Sequence, residues 1–216
     1  MIQIIPTILV KNFKEFKKKV KLLEQDFSLA QIDVMDGKFV KNITFFEIEK
    51  IEKIKTSLKY ELHLMGKNPL YYLKKLREAG GGLQKKVKKI LFHCETAVDV
   101  KEISEEIRSL GMLSGVVANP ETDIEKIMDA ASRVDAIMLM GVHPGASGQK
   151  FIPETVDRVK AVRAFHPTID IEIDGGVNDK TAKALVEAGA NILAVGSFMY
   201  QGKPAEQREK ILKSII

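Results

Sequence analysis

The chain has 216 residues, of which 45% are hydrophobic and 29% are charged. These values fit a soluble globular protein with a single domain over residues 1–216, because a second domain would be cramped. The apolar runs reach about eight residues, whereas a membrane-spanning helix needs roughly 20. The N-terminus shows no signal-peptide pattern, and the lone cysteine, Cys94, fits a reducing compartment. We therefore expect a cytoplasmic protein without a membrane partner.

The net charge of +5, from 34 Lys and Arg against 29 Asp and Glu, raises the question of a nucleic-acid partner. Lysines alternate with glutamates along helical stretches, however, which is typical of solvated helix faces. The densest basic run, residues 85–89, contains no aromatic side chain on which a base could stack. We expect no nucleic-acid partner, and a modest positive field suits a phosphorylated small molecule equally well.

Short apolar runs rich in Ile, Val and Leu alternate with longer stretches of helical periodicity. In chain order, these runs predict strands at residues 2–9, 29–35, 58–65, 90–94, 113–118, 136–140, 169–174 and 192–195. Each strand is followed by a predicted helix, at residues 12–25, 46–56, 69–79, 98–110, 121–131, 153–165, 179–188 and 204–215.

Near-continuous apolar strands in strict alternation with helices indicate a parallel sheet covered on both faces. Eight such units in about 200 residues predict a closed (β/α)8 barrel, the TIM-barrel fold. The alternative is an open doubly wound sheet, which usually carries a glycine-rich first turn. No glycine occurs in residues 9–12, after the first predicted strand.

Polar residues interrupt the predicted strands, and barrel enzymes place their chemistry at the C-terminal strand ends. The interruptions are Gln31, Asp33, Glu61, His63, His93, Glu95, His143, Glu172 and Asp174. Aspartate is rare in strands, and either Asp33 or Asp174 alone could be a salt bridge or a helix cap. Together with His63 they indicate a carboxylate pair across the barrel mouth. Such a pair can remove a proton beside a ketone from one face and return it to the other.

Small residues follow the last three predicted strands, in residues 143–149, 174–176 and 196–197. Small side chains let backbone N–H groups approach an anion closely, and barrels often hold phosphate in these late loops. One glycine-rich loop alone would be weak support, because turns need glycine anyway. Three after consecutive strands favour a phosphorylated ligand.

These residues together resemble the ribulose-phosphate 3-epimerase family. The resemblance covers nearly the whole chain in order, through the segments IPTIL (5–9), DVMDG (33–37), HLM (63–65), NP (119–120), HPGASGQKF (143–151), EIDGG (172–176) and GS (196–197).

The resemblance implies a (β/α)8 barrel that interconverts ribulose 5-phosphate and xylulose 5-phosphate, with Asp33 and Asp174 as acid and base. It also implies a divalent metal ion, such as zinc, manganese, iron or magnesium, held by Asp33, His63 and Asp174. Two carboxylates in one site need different protonation states, which a shared cation or unequal burial can provide. Related barrels are usually homo-oligomers.

The resemblance further implies a substrate-binding set. Thr7 contacts the substrate through its hydroxyl, and His63 polarises the carbonyl or binds the metal. Three methionines line the face of the enediolate intermediate: Met35, Met65 and Met140. The residues expected to hold the phosphate are Gly145, Ala146, Ser147, Gly148, Gly175, Gly176, Gly196 and Ser197.

Four departures from the family pattern stand out. Gln31 replaces a strand-two histidine that binds metal, and its neutral amide would be a weak ligand, better suited to hard cations than to zinc. His143 replaces an asparagine, and we expect it to face solvent. Residues 146–147 replace an aromatic and a glycine. An additional stretch, residues 81–88, is expected to form a surface loop on the N-terminal side of the barrel.

Two alternatives remain open from the sequence. One is an epimerase of another sugar phosphate, such as allulose 6-phosphate, or another sugar-phosphate reaction enabled by Gln31. The other is a barrel that binds a sugar phosphate without turnover. The retention of both Asp33 and Asp174 argues against the second, because binding alone does not need paired carboxylates.

Overall fold

The structure is a computed structural model that describes residues 2–97, 99–202 and 204–216. Its eight strands close into a parallel barrel in chain order, with the last strand paired to the first. The strands are β1 (Gln3–Ile8), β2 (Leu29–Met35), β3 (Lys59–Met65), β4 (Val87–His93), β5 (Leu113–Ala118), β6 (Ala136–Met140), β7 (Asp170–Asp174) and β8 (Ile192–Val195). The predicted (β/α)8 fold is confirmed.

A helix follows every strand. These are α1 (Phe13–Leu23), α2 (Ile48–Glu52), α3 (Pro69–Ala79), α4 (Val100–Ser109), α5 (Ile124–Ala131), α6 (Thr155–Phe165), α7 (Ala182–Glu187) and α8 (Ala205–Ile215). Most are shorter than predicted, and α2 keeps only five residues because the chain turns back early towards β3. The predicted start of the fourth helix, Val98, lies outside the described residues. A 3-10 helix, Ser197–Tyr200, was not predicted.

Local sequence signals account for where several helices begin and end. Asn12 and Asn68 cap α1 and α3 by accepting hydrogen bonds from backbone N–H groups of the first turn. Gly80 ends α3 in the left-handed conformation that glycine adopts most readily. The apolar faces of the helices pack on the outside of the barrel and form the main core. None of the described helices is long and apolar enough to cross a bilayer.

The interior of the barrel is unusually polar for a closed core. Glu61 and Glu172 project into it from β3 and β7, one inward position before His63 and Asp174. Lys89 of β4 lies between them, with Nζ 2.9 Å from Glu61 Oε2 and 2.5 Å from Glu172 Oε2. The assignment of Glu61 and Glu172 to the catalytic end is therefore wrong. They form a buried ion cluster below the mouth.

The prediction that residues 81–88 form a surface loop is wrong in part. Leu83 is fully buried in the main core, and β4 already begins at Val87, three residues before the predicted start. Lys88 remains exposed, as expected for a charged side chain on the outer face of the strand. Leu83 therefore anchors the stretch in the main core.

Replacing Lys89 with methionine should lower the free energy of unfolding by about 3–5 kcal/mol, because the buried carboxyl groups of Glu61 and Glu172 would lose the cation that lies between them. Urea unfolding followed by circular dichroism measures this change. The matched control is Lys88→Met, on the exposed face of the same strand, which should stay within about 0.5 kcal/mol of the parent. Equal stability of the two variants would contradict a charged cluster.

Candidate active site

One cleft at the C-terminal end of the barrel collects almost all of the residues that the sequence predicts for the site. Asp33, near the end of β2, and Asp174, at the end of β7, line this cleft. The predicted residues that also line it are Thr7, Met35, Met65, Met140, Gly145, Ala146, Ser147, Gly148, Gly175, Gly176, Gly196 and Ser197. His63 is fully buried and reaches the cleft through the two carboxylates.

Four polar atoms converge at the floor of the cleft. His63 Nδ1 lies 3.3 Å from Asp33 Oδ1 and 3.1 Å from Asp174 Oδ2. The Gln31 amide nitrogen donates to the same two oxygens, at 2.7 Å and 2.8 Å. Residues 31 and 33 point the same way because they are two apart in a strand. The two like-charged carboxylates are thus held together by shared nitrogen donors.

Burial and neighbouring charge set the protonation of this group. Burial, followed by repulsion from Asp174, raises the pKa of Asp33 above its ordinary value. Burial alone would lower the pKa of His63, but hydrogen bonds to Asp174 and Asp33 outweigh it and raise that pKa to about 10. At neutral pH, His63 is therefore an imidazolium that compensates the carboxylate charge when no other cation is present.

A hydrogen-bonded chain supports His63 from behind. His63 Nε2 lies 2.9 Å from His93 Nε2, and His93 Nδ1 lies 3.1 Å from Glu95 Oε2. Burial lowers the pKa of His93 to about 4, so its ring is neutral. The carboxylate of Glu95 needs a donor, so His93 carries its proton on Nδ1 and accepts from His63 through Nε2. His63 Nδ1 is then the nitrogen that faces the two aspartates.

Glu95 is itself held in the ionised form. Burial would raise its pKa, but hydrogen bonds from His93, Thr122 and the backbone N–H of Asn119 lower that pKa to about 2. The chain of contacts therefore ends in a fixed negative charge. This charge orients the ring of His93, and the ring of His93 orients that of His63.

Asp33, His63 and Asp174 form a group that could hold a metal ion, with ligand atoms all within 4.8 Å of one another. Two carboxylate oxygens and one imidazole nitrogen are acceptable to several divalent cations. Once Nδ1 of His63 gives up its proton, its lone pair points at the carboxylates, because Nε2 is already committed to His93. The residues present therefore fit the metal that the resemblance implies.

The loops predicted to hold phosphate depend on glycine where the backbone must turn sharply. Gly175 and Gly176 have φ of 98° and 70°, a region that disfavours side chains. A Cβ atom on Gly175 would lie 2.4 Å from Val142, and one on Gly176 would lie 2.8 Å from Phe151. The loop after β7 thus packs directly on the loop after β6, which leaves backbone groups of both loops at the cleft.

Other contacts fix the rim of the cleft. The Tyr200 hydroxyl donates to the backbone oxygen of Thr7 at 2.6 Å, which ties the end of β1 to the 3-10 helix after β8. His143 is exposed, as expected, but it also pairs with Glu121 at 2.7 Å. This pair joins the loops after β5 and β6 beside the cleft, and no sequence pattern predicts it.

Thr44 supports the catalytic end of β2 and was not predicted. Its buried hydroxyl donates to the backbone oxygen of Asp33 at 2.7 Å and accepts from the N–H of Met35 at 2.8 Å. These bonds satisfy the backbone where β2 ends, and so they fix the direction of the Asp33 side chain. His93 and Glu95 stood out in the sequence as polar residues in a strand, but the sequence assigned them no role.

The fold and the site are those of a barrel enzyme, and similarity to known sequences identifies its family. The chain matches the ribulose-phosphate 3 epimerase family over residues 3–200. It is 38% identical over 197 residues to ribulose-phosphate 3-epimerase of Chlamydia muridarum, covering 88% of this chain and 83% of that protein. It is 34% identical over 208 residues to the Bacillus subtilis enzyme of that name, covering 93% of each. The chain belongs to the ribulose-phosphate 3-epimerase family and is an isomerase.

Solved structures with the same fold are more distant in sequence. A 3-hexulose-6-phosphate synthase superposes with a TM-score of 0.71 at 11% identity, covering 99% of each chain. Orotidine 5'-phosphate decarboxylase from Pyrococcus horikoshii superposes with a TM-score of 0.66 at 14% identity, also covering 99% of each. These likenesses concern the fold alone.

Replacing His93 with phenylalanine should weaken binding of Zn²⁺ about 10- to 100-fold, because His63 would lose the partner that fixes its ring orientation and its tautomer. Titration calorimetry on the substrate-free protein measures the affinity. His166→Phe, outside the cleft, is the control and should bind as the parent does. An unchanged affinity in His93→Phe would show that His63 needs no such support.

Proposed function

We propose that the enzyme interconverts ribulose 5-phosphate and xylulose 5-phosphate by moving one proton at C3 between Asp33 and Asp174. The observation that carries the proposal is the convergence of both carboxylates on shared donors at the floor of one cleft. Curated relatives named ribulose-phosphate 3-epimerase support the choice of substrate.

The reaction divides into two proton transfers. One aspartate removes the C3 proton from its face of the sugar, and the electrons move into the neighbouring carbonyl to give an enediolate. The other aspartate then returns a proton to C3 from the opposite face, which inverts the centre. Each pass leaves the two carboxylates with their protonation states exchanged, so the reverse reaction starts from the state that the forward reaction leaves.

The enediolate needs positive charge beside its developing oxyanion. Asp33, His63 and Asp174 would hold a zinc, manganese, iron or magnesium ion, which supplies positive charge to the developing oxyanion. When no metal is bound, Nδ1 of His63 contacts both carboxylates and holds them close together. Thr7, at the edge of the cleft, offers a hydroxyl to the substrate.

The remaining residues of the cleft position the sugar and exclude water. Three buried methionines, each at most 4% exposed, form apolar walls beside the aspartates: Met35, Met65 and Met140. Such walls strengthen the electrostatic interactions within the cleft. The phosphate is held by backbone groups of residues 145–148, 175–176 and 196–197, at the far side of the cleft from β2 and β3.

Cellular location and assembly remain predictions. A relative from rice, 32% identical over 221 residues, is named as a cytoplasmic isoform. A cytoplasmic location and a homo-oligomeric state both agree with the proposed function. Fractionation of cells and light scattering of the purified protein would test them.

Replacing Asp174 with asparagine should reduce turnover of ribulose 5-phosphate by about 100- to 10,000-fold, because one of the two transfers loses its proton carrier. Asp33→Asn should do the same. In deuterium oxide, each variant should still exchange the C3 proton of one epimer with solvent, and the two variants should act on opposite epimers. Nuclear magnetic resonance of the sugar measures both effects.

Asp170→Asn, on the same strand and exposed at its start, is the control and should turn over normally. Appreciable turnover in Asp174→Asn would contradict the two-carboxylate mechanism. Parallel assays with allulose 6-phosphate test the choice of substrate. Faster turnover of allulose 6-phosphate would show that this sugar is the preferred substrate. Binding of either sugar phosphate without turnover would indicate a non-catalytic barrel.

A further inference from the structure

Gln31 holds an unexpected place in the site. Its side chain is fully buried on β2, and its amide nitrogen donates to Asp33 Oδ1 and Asp174 Oδ2. One NH2 group has two protons, so both are used on the two carboxylates. In this arrangement the nitrogen, not the oxygen, faces the position where the three ligand atoms meet.

The other half of the same amide has no partner. Gln31 Oε1 is buried and accepts no hydrogen bond from the described residues. Glu61, the neighbour of Gln31 in register on β3, has a buried Oε1 in the same condition. A buried polar atom left unpaired is costly. An amide that turned over would present Oε1 to the aspartates and its NH2 group to the side that Oε1 faces now.

Five of the six separations among the four converging atoms, from 2.7 to 3.5 Å, are close to those within a coordination shell. Gln31 Nε2 lies 2.7 Å, 2.8 Å and 3.5 Å from the nearest atoms of Asp33, Asp174 and His63. His63 Nδ1 lies 3.3 Å and 3.1 Å from the same two oxygens. Ligand atoms bound at about 2.1 Å lie about 3.0 Å apart in an octahedron and about 3.4 Å apart in a tetrahedron.

We propose that Gln31 is a two-state amide: Nε2 bridges the two aspartates without a cation, and Oε1 becomes the fourth protein ligand when a divalent cation binds. Nitrogen and oxygen of an amide are nearly equal in size, so the turn needs no other movement in the cluster. The inference deepens the proposed function and rests on it for the use of the metal.

Electrostatics couples the turn to the cation. Without a cation, Oε1 would face two carboxyl oxygens at less than 3 Å, at least one of them ionised, and that contact is repulsive. With a cation between the ligands, the NH2 group would face positive charge instead, and only the oxygen offers a lone pair. Each state of the site therefore favours one orientation of the amide.

The proposal is tested by whether removal of the Gln31 amide weakens or strengthens metal binding. Gln31→Leu should bind Mn²⁺ and Zn²⁺ at least about 10-fold more weakly than the parent, because a ligand is lost. If Gln31 only bridged the aspartates, its removal would free them, and the affinity would rise or stay the same, which would overturn the proposal. Titration calorimetry without substrate gives the affinities, and Gln3→Leu, exposed at the opposite end of the barrel, is the control.

A second measurement uses the unaltered protein and so does not depend on folding of the variant. With nitrogen-15 in the glutamine side chains, the amide protons of Gln31 should move upfield when Zn²⁺ saturates the site, because they leave the carboxylates. Amide resonances unchanged at saturation would overturn the proposal. Neither measurement involves substrate, so an inactive epimerase and a mistaken role for Gln31 give different results.

Discussion

The structure depends on one electrostatic constraint: two carboxylates must stand close together in a place that water hardly reaches. Asp33 and Asp174 are 4% and 9% exposed, and burial, followed by repulsion from Asp174, raises the pKa of Asp33. The site meets this cost with nitrogen donors aimed at the same two oxygens, from Gln31 and His63. The proposed epimerisation needs a base on each face of a planar intermediate, and this pair would provide both.

The barrel solves the problem in layers. Lys89 compensates Glu61 and Glu172 below the mouth, and the aspartates with His63 form the next layer above. Because successive inward positions on a strand are two residues apart, β3 and β7 each contribute one side chain to both layers. Lys89 of β4 thus links β3 to β7, two strands that are not neighbours, one layer below His63 and Asp174.

Much of this arrangement could be predicted, because strand–helix alternation and polar residues inside apolar runs leave clear signals in the sequence. The fold and the convergence of Asp33, Asp174 and the late loops follow from those signals. The place of Lys89 does not, since it ends a basic run that looks solvent-exposed. Lys89 shares the inward face of β4 with His93, four residues further on, but the predicted strand began at residue 90 and so left Lys89 outside it. The donor role of Gln31 likewise depends on distances across the barrel.

The most direct test of the central claim is the fate of the C3 proton during turnover by the unaltered enzyme. Ribulose 5-phosphate would be incubated in deuterium oxide, after chelation and again with zinc, manganese, iron or magnesium, and the products followed by nuclear magnetic resonance. We expect xylulose 5-phosphate with one deuterium at C3, because the proton returned from the opposite face comes from a carboxyl group in exchange with solvent. Product without deuterium, or no conversion under any of these conditions, would rule out proton transfer by the two aspartates.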